Sequence, residues 1–364
     1  MKVHVVDPAA YTPPYDHALC AALAAAGADV TLVTSRFAYA GVPAATGYAI
    51  DEAFYRRVPA SPAPVRRAAR LARHVPDMLR YRRSAARADV VHFQWLAVQH
   101  LDAHLLPRSR PLVLTAHDVL PREPRPGQRD AQRRLYERVD AVVVHSEHGR
   151  ARLAGELGID PARVTVIPHG AFTHLLDVPD AAPLPPELAA VTGPVVLLFG
   201  LMRPYKGIDV ALEAWRGIDD AELWVVGMPR MDVAPLRAAA PPGVRFVERF
   251  VDDRELPAFF ERADLVVLPY REIDQSGVLF TALAFGRPLV LSAVGGFPEV
   301  AREGAAELVA PGDAAALHGT LRRLLDDPVA RAELGARAAS AARERYGWAP
   351  IARAHLDLYE RLAG

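Results

Sequence analysis

The sequence predicts an α/β protein built from two parallel sheets, each flanked by helices. Three observations carry this expectation. Short apolar runs of strand length alternate with longer segments of helical spacing from end to end, the pattern of βαβ units rather than of hairpins. The 364 residues are enough for two domains. A stretch rich in Pro and Ala, Asp177 to Pro194, separates two halves of similar size and reads as an interdomain linker. A cleft between two such halves is the default place for a ligand.

The elements follow in order. Val3 to Val6 is the first strand, and its apolar run is too short for a signal peptide. Pro8 to Tyr15 reads as a Pro-rich, aromatic loop. Asp16 to Ala26 has Ala and Leu at helical spacing and is closed by Gly27, with Cys20 in its core pattern. Strands follow at Val30–Val33, Val90–Phe93, Leu112–Leu114, Ala141–Val144 and Val164–Ile167. The second half repeats the alternation, with strands at Val195–Phe199, Leu223–Val226, Val244–Val247, Leu265–Leu268 and Leu289–Leu291. Between the last two, Asp274-Gln275-Ser276-Gly277 opens a helix that runs to about Phe285, where Gly286 and Pro288 stop it. The tail from Tyr346 to Tyr359 is helical.

Composition narrows the classes. Apolar residues make up 51% and charged residues 24%, so a large core is available and disorder is excluded. Lys+Arg and Asp+Glu are both 43, so overall charge favours neither nucleic acid nor membrane. One cysteine, Cys20, rules out an intrachain disulfide framework and fits a reducing compartment. No apolar run reaches the length of a bilayer span. The expected location is cytoplasmic, with a peripheral place on the inner face of a membrane as an extension. The stretch Arg56–Arg87 motivates that extension. Ten arginines (56, 57, 66, 67, 70, 73, 80, 82, 83 and 87) face one acid, Asp77, with Val65, Leu71, Val75, Met78, Leu79 and Tyr81 between them. Such a surface attracts anionic lipid or a phosphorylated partner. It equally describes a solvated helix face. No nucleic-acid recognition motif accompanies it.

Chemistry concentrates in the second half. The turn Gly200-Leu-Met-Arg203-Pro-Tyr-Lys206-Gly207 follows that half's first strand and places two cations at the carboxyl edge of a sheet, where ligands of open α/β sheets bind. Ser276 and Gly277 begin a helix whose unpaired N–H groups and positive dipole end favour a phosphate. Ser and Gly also serve helix capping alone. Together, two cations and a helix N-terminus suit a diphosphate. There is no Asp-x-Asp and no His, Cys or carboxylate spacing of metal type, so no metal or cofactor is expected. A Gly-x-Ser-x-Gly elbow, a Walker loop and a Gly-x-Gly-x-x-Gly after the first strand are all missing. In the first half, Thr115-Ala-His117-Asp118 stands at a strand's carboxyl end.

These residues resemble a retaining glycosyltransferase of the two-Rossmann-domain (GT-B) class, within glycosyltransferase family 4 (group 1). The resemblance spans nearly the whole chain. It is most specific at Arg203-Pro-Tyr-Lys206-Gly207, Gln275-Ser276-Gly277, Ala284-Phe285-Gly286-Arg-Pro288, Gly295-Gly296-Phe-Pro298-Glu299 and the Trp348 helix. It implies an acceptor-side domain at 1–178, a linker at 179–194, a nucleotide-sugar domain at 195–346 and a final helix, 347–364, returning to the first domain. It implies that Arg203 and Lys206 bind the diphosphate of a UDP- or GDP-linked donor. Gln275 to Val278 would hold phosphate and sugar, and the loop Arg249-Phe250-Val251 would face the nucleobase. His117 would lie near the donor sugar, unless it is a structural strand-end histidine; His145 and His169 read as structural or as supports behind the residues that touch the ligand. Glu299 would either bind sugar hydroxyls or cap the Gly-Gly turn. Two features depart from the family. Ile273 and Thr281 stand where paired glutamates are usual, so Glu272 or Asp274, with Asp274 the choice, would supply the first carboxylate through a shifted loop, and Thr281 a weaker ribose contact. Tyr11-Thr-Pro-Pro-Tyr15-Asp16 replaces a glycine pair on the acceptor side.

The activity so implied is metal-independent hexosyl transfer, with retention, to a carbohydrate or lipid-linked acceptor (EC 2.4.1.-). A nucleotide-sugar epimerase on the same fold and a degenerate, non-catalytic partner protein are the alternatives.

Overall fold

The computed structural model describes all residues except 38–40, 57, 59–62, 97 and 122–125, and no side chain at 63 or 64. Arg57 of the arginine-rich stretch therefore lies outside the described residues. The chain forms two compact units, Met1–Pro168 with Trp348–Gly364, and His169–Gly347.

The first unit is a seven-stranded parallel sheet. Its strands are β1 (Lys2–Asp7), β2 (Asp29–Thr34), β3 (Ala49–Asp51), β4 (Val90–Phe93), β5 (Leu112–Thr115), β6 (Ala141–Val144) and β7 (Val164–Val166). They run in the order β3-β2-β1-β4-β5-β6-β7. The central strands are buried along their whole length, as a sheet covered on both faces requires. Helix Pro13–Ala25 starts three residues before the expected Asp16. Pro13 and Pro14 occupy its first turn, where a missing N–H costs nothing. Helix Trp348–Ala363 belongs to this unit: Tyr359 OH meets His92 Nδ1 on β4 at 2.6 Å, and Trp348 packs edge-on to Tyr15 at 5.3 Å.

The second unit is a six-stranded parallel sheet. Its strands are β8 (Val195–Phe199), β9 (Glu222–Val226), β10 (Val244–Val247), β11 (Leu265–Leu268), β12 (Leu289–Ser292) and β13 (Ala306–Val309), in the order β10-β9-β8-β11-β12-β13. Both sheets thus reverse direction beside their first strand, between β1 and β4 and between β8 and β11. Ligands of doubly wound sheets bind at the carboxyl ends of such switch points.

The unit boundary falls at Pro168–His169, ahead of the expected 178, and the Pro/Ala stretch is no free linker. Arg254 Nε and its terminal nitrogen donate to the Asp180 carbonyl at 3.0 and 2.9 Å, Arg262 reaches the Val191 carbonyl at 3.0 Å, and Leu188 is buried. Prolines lack N–H groups, but their neighbours' carbonyls still accept, and arginines supply the donors. The arginine-rich stretch forms helix Ala63–Ser84, which buries His74, Asp77, Met78 and Tyr81 and exposes Val65, Leu71 and Leu79. Asp77 pairs with Arg73 and Arg80 and accepts the Tyr55 amide at 2.9 Å. Among the described residues no helix is long and apolar enough to cross a membrane.

Candidate functional site

The β8/β11 switch point gathers three loops. After β8, Gly200 has φ +110°, and a Cβ there would lie 3.1 Å from Val278 Cγ2 and 3.4 Å from Lys206 Nζ. Lys206 ends a single turn, Pro204–Lys206, and is 5% exposed. Its ammonium donates to Tyr270 OH and sits 4.0 Å from the centre of that ring. Tyr270 follows β11, is buried, and has Ser276 Oγ 3.5 Å from its hydroxyl. One buried cation therefore lies between the end of β8, the end of β11 and the first turn of helix Gly277–Ala284. Arg203 is half-buried, and its guanidinium makes no hydrogen bond or ion pair among the described residues. Arg271 differs in being spent on Asp209 at 2.8 and 2.6 Å.

The helix start is built for more than capping. Ser276 occupies the N-cap position, yet its side chain makes no cap hydrogen bond. Its amide donates to the Gln275 side-chain oxygen at 3.2 Å. The Gly277 and Val278 amides have no intrahelical acceptor, as in any first helical turn, and carry the positive end of the dipole. Two glycines hold the loop in place. A Cβ on Gly207 would fall 2.0 Å from the Pro269 carbonyl oxygen, and one on Gly295 would fall 1.8 Å from that of Ile273. The Gly296 amide donates to the Asp274 carbonyl at 3.1 Å. Thus Gly295-Gly296 exists to let the Arg271–Gly277 loop approach.

The remaining expected residues spread around this centre. Asp274 is buried in the loop. Thr281 is buried, and its hydroxyl donates to the Gly277 carbonyl at 3.1 Å, leaving only lone pairs for a ligand. Glu299 lies in the short helix Phe297–Ala301. Phe250 is exposed and Val251 buried beyond β10, where Arg249 pairs with Glu255 at 2.6 Å. His169 stacks on Phe280 at 4.4 Å, so it is a packing residue of this unit. Tyr270 was not foreseen; a tyrosine directly after the apolar run of β11 and Pro269 was the available signal.

In the first unit His117 follows β5 and is locked on every side. Its ring stacks on Trp95 at 5.0 Å and meets Tyr15 edge-on at 4.8 Å. Burial lowers the pKa of His145 to about 4, so that ring is neutral. His145 Nδ1 donates to the Ile167 carbonyl at 3.0 Å, which leaves its Nε2 to accept from His117 Nδ1 at 3.2 Å. His117 Nε2 lies 3.1 Å from the Gln94 side-chain oxygen Oε1. Both ring nitrogens are engaged, so a sugar here would meet ring carbons or backbone, not a free nitrogen. His145 thereby helps to orient the His117 ring, within the supporting role expected of it.

Two doubly wound sheets and a final helix returning to the first unit define the GT-B class. The solved structures agree on the fold. Sucrose-phosphate synthase from Thermosynechococcus elongatus superposes with a TM-score of 0.78 at 20% identity, covering 100% of this chain and 99% of that one. HepE of Anabaena in complex with UDP-glucose gives 0.76 at 19% identity, with 100% of both chains covered.

Sequence comparison then decides the family. Residues 15–174 match the Glycosyltransferase Family 4 model, and residues 193–327 match the model for Glycosyl transferases group 1. The D-inositol 3-phosphate glycosyltransferase of Xylanimonas cellulosilytica is 30% identical over 309 residues, 76% of this chain and 73% of that protein. The chain belongs to the family 4, group 1, glycosyltransferases: it is a transferase that uses a nucleotide-sugar donor.

Proposed function

We propose that the chain transfers a hexosyl group with retention, from a UDP- or GDP-linked donor, to a carbohydrate or lipid-linked hydroxyl. The observation that carries this reading is the buried Lys206 ammonium set between Gly200, Tyr270 and the first turn of helix Gly277–Ala284. Lys206 and Arg203 follow β8 and the Gly277 and Val278 amides open the helix after β11, so both loops bring positive charge to one switch point, which suits a diphosphate. In the reaction the anomeric carbon–phosphate oxygen bond breaks as the acceptor oxygen bonds the same carbon from the same face. The acceptor proton passes to the departing phosphate oxygen, and the cations and amides stabilise the charge growing there. No metal and no protein nucleophile is needed. In this reading Gln275, Ser276, Asp274 and Glu299 serve the sugar, Thr281 accepts a ribose hydroxyl, and Phe250 and Val251 border the base; His117 of the first unit is a residue to test for a sugar contact by substitution. The inositol phosphate acceptor named for the Xylanimonas relative makes a cyclitol a first acceptor to test.

Calorimetry with UDP, GDP and uridine tests the clamp. Binding of one diphosphate with no binding of uridine is expected; no binding of either diphosphate overturns the reading. Product anomers by NMR test retention, and turnover unchanged by EDTA is expected.

A membrane role for helix Ala63–Ser84 forms part of the same proposal. Its exposed Val65, Leu71 and Leu79 lie among arginines, with Arg83 exposed beside Leu79. Flotation with phosphatidylglycerol vesicles at low salt should capture the protein, and loss of capture is expected as salt rises. Absence of low-salt capture removes this role.

A further inference from the structure

The hydrogen bonds around His117 continue past Gln94 and end in the returning helix. Gln94 follows β4 and is fully buried. Its Oε1 lies 3.1 Å from His117 Nε2, and its Nε2 lies 3.3 Å from His92 Nε2. Thr115 Oγ1 sits 2.7 Å from the same His92 nitrogen, and His92 Nδ1 meets Tyr359 OH at 2.6 Å. One chain of contacts thus runs from helix Trp348–Ala363 through β4 to His117, and on through His145 to the Ile167 carbonyl, all within the first unit.

The direction of each bond follows from its ends. The Ile167 carbonyl can only accept, so His145 Nδ1 carries a hydrogen; burial keeps that ring neutral, and its Nε2 accepts. His117 Nδ1 therefore donates. At its other nitrogen the Gln94 oxygen can only accept, so His117 Nε2 donates as well. A histidine with a hydrogen on both nitrogens is a cation. The rest of the chain agrees. The Gln94 side-chain N–H and the Thr115 hydroxyl donate to His92 Nε2, and His92, kept neutral by burial, donates from Nδ1 to the Tyr359 oxygen. The titratable rings packed around this chain are uncharged: burial holds His145, His92 and His355 neutral and keeps the proton on Tyr15. Asp118 is the carboxylate next to His117 in the chain. Trp95 lies almost parallel to the His117 ring, at 10° and 5.0 Å, and an indole face favours a cation. Turning the Gln94 amide around would set an N–H against His117 Nε2 and make that ring neutral. His92 would then have to hold its hydrogen on Nε2 and withdraw it from Tyr359.

We infer that Gln94 is a positioning residue that holds His117 as an imidazolium, and that Tyr359 of the returning helix keeps the Gln94 amide turned that way through His92. In the glycosyl-transfer reading above, on which this consequence rests, a ring with no lone pair cannot take the acceptor's proton, which leaves that proton to the departing phosphate oxygen.

The sample is the intact chain with isotope-labelled histidine, read by nitrogen NMR at neutral pH, with nucleotide release from UDP-glucose and GDP-mannose measured beside it. His117→Asn identifies the signals of that ring by their loss. In the wild type both His117 nitrogens should show the shift of a protonated nitrogen. Gln94→Leu keeps the bulk and removes the acceptor, so Nε2 should move to the shift of a bare nitrogen and kcat should fall about tenfold with the donor KM unchanged. Gln94→Glu keeps an acceptor and should restore both. Tyr359→Phe keeps the buried ring and removes only the hydroxyl; the His117 Nε2 signal should move part of the way, although His92 and Gln94 stand between, and kcat should fall about threefold. Should Gln94→Leu not fold, Gln94→Glu and Tyr359→Phe decide. A wild-type His117 with a single hydrogen overturns the inference. So does a Tyr359→Phe chain with a lower melting temperature and unchanged His117 signals, the result that packing alone predicts. If the signals move as expected and turnover does not, the positioning role falls while glycosyl transfer stands; a wild-type chain that releases no nucleotide from either donor overturns the donor reading instead, and the NMR signals alone then judge the charge of His117.

Discussion

Replacing Lys206 by Met separates function from stability at the centre of the donor pocket. The substitution keeps the length and apolar stem and removes only the ammonium. Two terms of opposite sign act on the fold. The ammonium loses its bond to Tyr270 OH and a cation–π contact at 4.0 Å, an attraction of about 2 kcal/mol when desolvated. Against this, the variant no longer buries a charge at 5% exposure, which costs several kcal/mol before pairing. The terms nearly cancel, so the unfolding free energy of the second unit should move by about 1 kcal/mol or less. No such cancellation protects the reaction. Removing one preorganised donor to developing charge costs about 10²–10³ in kcat, ~2.7–4 kcal/mol. The assay is nucleotide release from UDP-glucose and GDP-mannose, read beside thermal unfolding. Turnover within about threefold of wild type, with the fold intact, would refute the reasoning, because a donor to the departing phosphate cannot be silent.

Other expectations follow from the same geometry. Tyr270→Phe keeps the ring beneath the ammonium but removes its hydroxyl partner; a fall in kcat of about tenfold with unchanged melting temperature is expected, and steady-state kinetics check it. Gly295→Ala places a Cβ 1.8 Å from the Ile273 carbonyl oxygen at φ +56°, so urea unfolding should show a loss above about 2 kcal/mol together with weaker nucleotide binding. Acid should weaken the first unit. His355 has its pKa lowered from 6.5 to about 4 by burial, with Nε2 unpartnered among the described residues. Between those values the unfolded chain holds a proton that the fold does not, so stability falls as pH falls through that window, by about 3 kcal/mol at its lower end. His355→Leu should therefore gain more at pH 5 than at pH 7.5 in paired urea titrations, and an equal effect at both would contradict the assignment.

Much of this was legible because buried parallel strands write themselves as continuous apolar runs. Leu265–Leu268 and Val195–Phe199 left little choice. The two strands that escaped, β3 and β13, are edge strands with half-exposed, mixed residues, and such segments carry no periodic signal. The Pro13-Pro14 helix start was hidden because proline reads as loop unless it sits in a first turn. In the site, residues adjacent in sequence were visible: Arg203 with Lys206, and Gln275 to Val278. Their convergence was not, because Gly200, Lys206, Tyr270 and Val278 meet only through the sheet order β8–β11. The hydrogen bonds that fix His117 through His145 and Gln94 were likewise invisible, since three separate strands supply them.

The return of Trp348–Ala363 to the first unit bears on how the protein is made. Residues 169–347 form a unit that is contiguous in the chain, whereas the first unit is split around it. During synthesis the second unit has all its parts as soon as Gly347 clears the ribosome. The first, although translated earlier, waits with its β4 face uncovered until the Tyr359 hydroxyl can reach His92. The order of completion therefore inverts the order of translation, and a nascent chain stalled before Trp348 should resist protease over 169–347 while its leading half stays open to cleavage.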